Sequence, residues 1–375
     1  MEFKISRSDF LDCMSRAQNI VEKRSNMPIL STVLISVQKD GLSISATDLE
    51  LSFQEKIPAD VISEGSAAVP GRKLFEIIRE SKGKEFHIKE EENQRIFISD
   101  GSAQFKLAFL PADEFPILAE PEDVKYTTIE GHDIKDMIKK TIYAVTSEDA
   151  GFKLSGIFME KKEKDGDIFL RFVATDGHRL SMIDKKVVGI ESLDMAEGIL
   201  VPKKGVIEIN KFALEGGPMD IGIKDKNFVL KKDQRILIIR LLDIKFPNYE
   251  NVIPDTCDHL ILIDKIRFID SLRKMMILST DRYRAVKFII KPETMDLISS
   301  NVEIGEAYEA IEIKYKGKGI EKEMEIAFNP KFFVDAIQPM ESQSINLGFI
   351  DKNNPCIITG EDDPGFLALI MPMRL

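Results

Sequence analysis

The chain has 375 residues, 43% of them hydrophobic and 31% charged, and a formal net charge of −11. That length suits two or three domains with buried cores, and the composition is that of an ordinary globular protein, excluding disordered and fibrous classes. The acidic balance argues against a surface that binds nucleic acid everywhere, so the location of the positive charge becomes the question.

Cys13, Cys257 and Cys356 lie far apart with no C-x-x-C spacing. This argues against a disulfide framework or a zinc site and suits a reducing compartment. The amino terminus, Met1-Glu2-Phe3-Lys4-Ile5, alternates as a half-buried strand does and lacks the apolar centre of a signal peptide. No later run approaches the ~18 apolar residues that would span a membrane. A cytoplasmic protein is expected.

In chain order, a first helix is predicted over 7–24, where Asp9 stands near the N-cap and Phe10, Leu11, Met14 and Val21 recur at helical spacing. Alternating strands follow at 31–37, 42–46 and 49–57. A second helix over 70–84 opens on V-P-G-R-K-L-F-E-I-I, where Pro70 suits the first helical position because its missing N–H needs no partner there. Strands at 86–88, 95–98 and 105–110 lead to E-F-P-I-L at Pro116.

The same landmarks then recur. H-D-I-K-D-M-I at Asp133 opens a helix over 133–149, with Ile134, Met137, Ile138 and Ile142 in register; V-P-K-K-G-V-I-E-I at Pro202 opens one over 202–215; K-F-P-N-Y closes at Pro247. The third round has I-D-K-I-R-F-I at Asp264 (264–282), F-N-P-K-F-F-V-D-A-I at Pro330 (329–341) and I-M-P-M-R-L at Pro372. From helix proline to closing proline the distances are 46, 45 and 42 residues. Repeats at a nearly constant period imply tandem copies of one unit. Three domains are expected, at 1–122, 123–253 and 254–375, each itself an approximate duplication of helix and strands. Short antiparallel strands with two helices gathered on one face make an α+β layer.

Thr47-Asp48, Thr175-Asp176 and Thr280-Asp281 look like a further triple repeat. They fall 39, 43 and 17 residues after their helix-start aspartates. The third is therefore out of step. It is expected to end a helix, and its true counterpart should lie near Ser300-Asn301.

The six helical segments hold 21 Lys and Arg against 16 Asp and Glu, net +5, which leaves −16 outside them. Arg72-Lys73, Lys139-Lys140, Lys203-Lys204 and Arg273-Lys274 are the basic doublets. Such charges commonly occupy solvated helix faces. The alternative is a mildly positive helical surface on an acidic body, able to attract a phosphate backbone without reading sequence.

F-V-A-T-D-G-H-R-L at 172–180 places Asp176, His178 and Arg179 in one turn, as a catalytic cluster or as the wall of a binding groove. Catalysis by a hydrolase would need a nucleophile or metal, yet His87, His132 and His259 show no ligand spacing to His178. No H-E-x-x-H, G-x-S-x-G or Walker-type phosphate loop is present. Glu90-Glu91-Glu92 reads as a solvated hairpin tip. The carboxyl end is apolar to the last residue: Phe366–Ile370 reads as a closing strand, and Met371-Pro372-Met373-Arg374-Leu375 as an adaptable apolar docking surface.

A-T-D-G-H-R-L at 174–180, K-F-P-N-Y-E-N-V-I-P at 245–254, M-P-I-L at 27–30, V-P-x-[RK]-K at the second helices and the terminal M-P-M-R-L together resemble the bacterial sliding clamps, the β subunits of DNA polymerase III. The resemblance runs from Met1 to Leu375. It implies a non-catalytic protein of three clamp domains, whose head-to-tail homodimer forms a ring with helices lining the hole. The ring would encircle duplex DNA, slide, and tether DNA polymerase III, with no cofactor, metal or membrane. A two-domain clamp forming trimers is incompatible with three closing motifs.

The resemblance also implies sites. A groove for short peptides from the polymerase α subunit, the clamp loader, other polymerases and repair proteins maps onto Leu154, Thr175, Gly177, His178, Arg179, Leu180, Pro247, Val252, Tyr283, Asn329, Phe332, Pro355 and Leu369, Ile370, Met371, Pro372, Met373, Arg374 and Leu375. Asn251 stands where well-known members carry arginine. DNA contacts map onto Arg24, Arg72, Glu148, Phe152 and Lys153; Phe152-Lys153 keeps one aromatic of a tyrosine pair. The ring-closing face maps onto Phe105 and Leu107 against Ile277 and Leu278, with Lys73 and Arg95 facing Glu303 and Glu306.

Overall fold

The computed structural model describes residues 1–22, 26–116, 120–146, 154–195, 197–280, 284–317 and 323–374. Among the described residues six α-helices punctuate the chain: α1 (Arg7–Ala17), α2 (Gly71–Glu80), α3 (Gly131–Thr141), α4 (Lys203–Leu214), α5 (Lys265–Met276) and α6 (Pro330–Ile337). They pack in sequential pairs, α1 on α2, α3 on α4 and α5 on α6, one pair per repeat. No helix among the described residues is long and apolar enough to cross a membrane.

Two compact units form, one from Met1–Ile129 with Pro218–Leu241, the other from Glu130–Gly217 with Leu242–Leu375. They cut across the sequence repeats because strands of neighbouring repeats pair. In the first unit, Arg235–Arg240 of the second repeat lies antiparallel to Leu51–Ile57 of the first, within an eight-stranded sheet. A five-stranded sheet completes that unit, in the order Asp60–Ser63, Glu2–Ser6, Glu85–Glu91, Arg95–Ser99, Gln104–Ala108. In the second unit, Arg179–Lys185 of the second repeat pairs with Phe366–Ile370 of the third inside a nine-stranded sheet. Beside it stands a four-stranded sheet, in the order Gly305–Glu312, Thr294–Asn301, Val286–Ile290, Met324–Phe328. Short strands at Asp60–Ser63 and Gly65–Pro70 carry no alternating apolar signal strong enough to predict them.

Each first helix turns the same position inward: Phe10, Ile134 and Phe268 are all buried. In the third repeat Phe268 meets Phe288 and Phe333, whose rings also contact Phe328. Ring centroids lie 5.2–6.1 Å apart; Phe288 and Phe333 are tilted at 42°, and the other pairs, at 63–81°, show the edge-to-face packing that aromatic quadrupoles favour.

The helices start differently from the expectation. Only Asp264 is itself a cap, its Oδ1 accepting from Arg267 N at 2.8 Å. Ser6 caps α1 by accepting from Asp9 N, and Asp133 lies in the first turn of α3 behind Glu130. Pro70 and Pro202 end strands and occupy the cap position; Pro330 alone is the first helical residue. All six helices are shorter than the predicted segments. The Thr141 hydroxyl donates back to Met137 O at 2.7 Å where α3 gives way to a tighter turn at Ile142–Ala144. Pro339 stops α6 at Ile337. Gly131 opens α3 where a Cβ would lie 3.1 Å from Ala213 O and 3.2 Å from Gly217 O, a tight fit that a larger side chain could enter only if this backbone gave by a few tenths of an ångström.

The repeated turn is present in all three copies. Asp48 Oδ1 accepts from Glu50 N and Leu51 N, Asp176 Oδ1 from His178 N and Arg179 N, and Asn301 Oδ1 from Glu303 N. Asn301 is thus the third counterpart. Thr280 lies beyond the end of α5, and Asp281 falls outside the described residues.

Candidate interaction sites

The Thr175–Arg179 turn is built by its own side chains. Thr175 Oγ1 donates to Arg179 O at 2.7 Å and accepts from Gly177 N at 3.1 Å, while Gly177 adopts φ 83°, a left-handed conformation that glycine tolerates without strain. Leu49 takes the equivalent position in the first repeat at φ 74°. The turn leaves His178 exposed and draws Arg179 inward.

Arg179 is held on several sides. Its Nε donates to Asp176 Oδ2 at 3.0 Å, Nη1 to Asp335 Oδ2 at 2.8 Å and Nη2 to Tyr143 O at 2.6 Å. Its Cζ lies 4.4 Å from the centroid of Phe332 and 5.5 Å from that of Tyr143. Both oxygens of Asp176 are therefore engaged, one by the turn and one by Arg179, in the geometry of a turn brace. An open cavity of about 1260 Å³ lies alongside, bordered by His178, Arg179, Lys203, Thr280, Asn329 and Phe332.

A buried apolar cluster underlies the turn: Leu154, Val173, Leu180, Phe246, Tyr249 and Leu369 belong to it. Phe246 stacks on Phe158 at 4.7 Å with planes 6° apart. The Tyr249 hydroxyl accepts from Arg171 Nη1 at 2.9 Å and donates to Glu160. Arg171 holds Asp184 through two bonds of 2.6 and 2.8 Å. This network fixes the 246–253 segment on the sheet and leaves Pro247 and Val252 facing solvent.

The carboxyl tail arrives at the same place. Met371 N donates to His178 O at 2.9 Å, and Met373 N to Ala327 O at 2.7 Å. Met371 and Met373 are 38% and 37% exposed; Pro372 is half-buried and Arg374 exposed. Leu369 and Ile370 are buried in the last strand and Pro355 is buried beside it, so these three support the surface from behind. Asn329 caps α6, accepting from Lys331 N. Tyr283 and Leu375 fall outside the described residues.

Of the DNA candidates, Arg24, Glu148, Phe152 and Lys153 fall outside the described residues. Arg72 is half-buried on α2, its Nε buried without a protein partner. The basic doublets are less available than their sequence suggests. Lys140 is 3% exposed, its Nζ 2.8 Å from Asp363 Oδ1 and 3.3 Å from Asp136. Lys139 pairs with Glu341, Lys73 with Glu76 and Lys274 with Glu309. Of the predicted hairpin tip, Glu90 and Glu91 lie in the strand, where Glu90 meets the amino terminus and Glu91 meets Lys106; only Glu92 sits in the turn.

Of the ring-closing candidates, Phe105, Leu107 and Glu306 sit on edge strands, while Lys73 lies on α2, Arg95 on an inner strand, and Ile277 and Leu278 just past α5. Phe105 and Leu107 lie on Gln104–Ala108, the last strand of the five-stranded sheet, as its two half-buried residues. Gly305–Glu312 ends the four-stranded sheet and carries Glu306. Near it, Ile277 is 77% and Val302 88% exposed. Leu278 is half-buried, its carbonyl accepting from Asn301; Arg95 and Glu303 are exposed.

Asp335, Asp363, Tyr143 and Ser181 were not predicted. Each has a partner 38 to 223 positions away, which neither spacing nor composition signals.

Pairs of helices over antiparallel sheets, three times in one chain, with two open sheet edges and a groove at a helix start, define a clamp architecture. Family models for the DNA polymerase III beta subunit match throughout: the N-terminal domain at residues 1–119, the central domain at 128–248 and the C-terminal domain at 250–374. The beta sliding clamps of Caulobacter vibrioides and Chlamydia muridarum are 28% and 29% identical to the chain, each alignment covering all of this chain and 99–100% of the relative. Among solved structures, Caulobacter crescentus pol III beta superposes with a TM-score of 0.93 at 27% identity. The Bartonella birtlesii sliding clamp bound to griselimycin does so with 0.92 at 27%, both over the full length of each chain. The chain belongs to the bacterial DNA polymerase III beta subunit family, and is a replicative sliding clamp, the non-catalytic processivity subunit.

Proposed function

We propose that two copies of the chain close head to tail into a six-domain ring around duplex DNA, with domain limits at 1–122, 123–253 and 254–375. The observation that carries this reading is the pair of open strands, Gln104–Ala108 and Gly305–Glu312, each ending its sheet, the first carrying the half-buried Phe105 and Leu107 and the second lying near the exposed Ile277 and Val302. An unpaired strand edge is a template for another strand. Phe105 and Leu107 would meet Ile277 and Leu278, with Lys73 and Arg95 opposite Glu303 and Glu306. Arg24, Arg72 and Lys153 would meet the phosphates, with Glu148 and Phe152 on the same surface of the ring, and the linkage would be topological and blind to sequence.

The ring works in the cytoplasm and takes short peptides of the polymerase α subunit, the clamp loader, other polymerases and repair proteins. These dock between the second and third domains on His178, Pro247, Val252, Met371 and Met373, over the Leu154–Leu180 core. Tethering raises the polymerase's effective concentration at the primer end without chemistry by the clamp. Deleting Met371–Leu375 is expected to abolish polymerase stimulation on primed circular DNA while light scattering still reports a dimer. Full stimulation by the truncated dimer would sink the groove assignment.

A further inference from the structure

We propose that Arg179 is a positioning residue, which docks the Thr175–Arg179 turn onto α6 through Asp335 and so sets the shape of the groove. The inference rests on the groove reading and refines it, because the resemblance makes Arg179 a direct contact and does not name Asp335.

The donors of Arg179 are already directed inward. Asp176, Asp335 and the Tyr143 carbonyl take Nε, Nη1 and Nη2. Phe332 and Tyr143 bring their rings to the guanidinium, and the side chain is only 11% exposed. A guanidinium has five N–H donors in a rigid planar fork. With all three nitrogens engaged and aromatic rings against it, little of the group remains to recognise a partner.

The same contacts tie together three parts of the groove. His178 O, one residue away, receives Met371 N and so fixes where the tail begins. Tyr143 also reaches the turn's strand, its hydroxyl 2.9 Å from Ser181 Oγ, which itself bonds Lys140 O at 2.5 Å. Asp335 and Phe332 belong to α6, whose cap is Asn329. Shifting the guanidinium would therefore move His178, the tail and α6 relative to one another. Asp335 has a second partner in Lys331, but that lysine is 60% exposed and its pair is of the weak surface kind. Lysine could replace the charge of Arg179 but not the fork that satisfies three acceptors at once.

The test titrates full-length clamp into DNA polymerase III and clamp loader on primed circular DNA, reading the half-saturating clamp concentration and the saturated rate. Arg179→Lys and Asp335→Ala are each expected to raise the half-saturating concentration about tenfold, the fold-change of one charge-assisted hydrogen bond, without lowering the saturated rate. The double variant is expected to be no worse than either single one, because both break one unit. If Arg179 instead pairs with the partner directly, Asp335→Ala frees it: half-saturation stays or falls, and the two effects add, which overturns the proposal. Light scattering and circular dichroism identify any misfolded variant, and Asp335→Asn then replaces Asp335→Ala with the same expectation. The Met371–Leu375 deletion is run in parallel. If that deletion has no effect, the groove reading fails; if it weakens half-saturation while Asp335→Ala does not, the positioning role alone fails.

Discussion

Lys140 stands in a doublet that reads, in sequence, as half of a solvated cationic face. In the fold it is buried, and its partner Asp363 is 1% exposed. Burial pushes the Asp363 carboxyl up, but Lys140, the Ser342 hydroxyl and the backbone N–H groups of Glu341 and Ser342 outweigh it and hold it down at about 2, against an ordinary 3.8. A depressed carboxyl contributes stability that is fully present above its unfolded value and is lost as pH falls through its folded one. The thermal-midpoint gap between the parent and Asp363→Asn is therefore expected to be constant from about pH 7 to 5 and to narrow between about pH 4 and 2. A gap independent of pH across that window would contradict the ion pair. The Thr-Asp-Gly turn was legible because its hydrogen bonds are local, within five residues. Asp363 and Asp335, the distant partners of Lys140 and Arg179, were not, because they come from a loop and a helix of the next repeat, more than 150 positions on.

At the scale of elements, the helices were legible from periodicity, and their count and order hold among the described residues. Their ends were not, since Thr141 back-bonding and the tighter turn at Ile142–Ala144 carry no apolar signal. Sheet edges lay beyond reach for a related reason: alternation identifies a strand but not its neighbours. Only the observed order makes Gln104–Ala108 and Gly305–Glu312 terminal strands. Ile277, at the C-cap of α5, is 77% exposed, so replacing it leaves the protomer core intact. Ile277→Arg is expected to weaken dimerisation by about 2 kcal/mol, the scale of a central interface anchor, measured by sedimentation equilibrium. An unchanged dimer constant would remove Ile277 from the interface.

For the whole molecule, three copies of one unit were readable from proline landmarks at nearly constant spacing. Their joining was not, because strands of neighbouring repeats share sheets: 51–55 with 235–239 in one unit, and 179–183 with 366–370 in the other. Those joints make three repeats two compact units, each crossing a repeat boundary. The chain's charge of −11 and the pairing of Lys73, Lys139, Lys140 and Lys274 with carboxylates leave only a modest attraction for phosphates. Such attraction is salt-sensitive and could not by itself hold a protein on DNA through many rounds of synthesis. Retention must then come from encirclement. The most direct measurement loads the clamp on nicked circular DNA, removes free protein and makes a single double-strand cut at moderate salt. Encirclement predicts stable retention before the cut and rapid loss from the free ends after it. Equal retention on the circle and on the cut DNA would contradict the account.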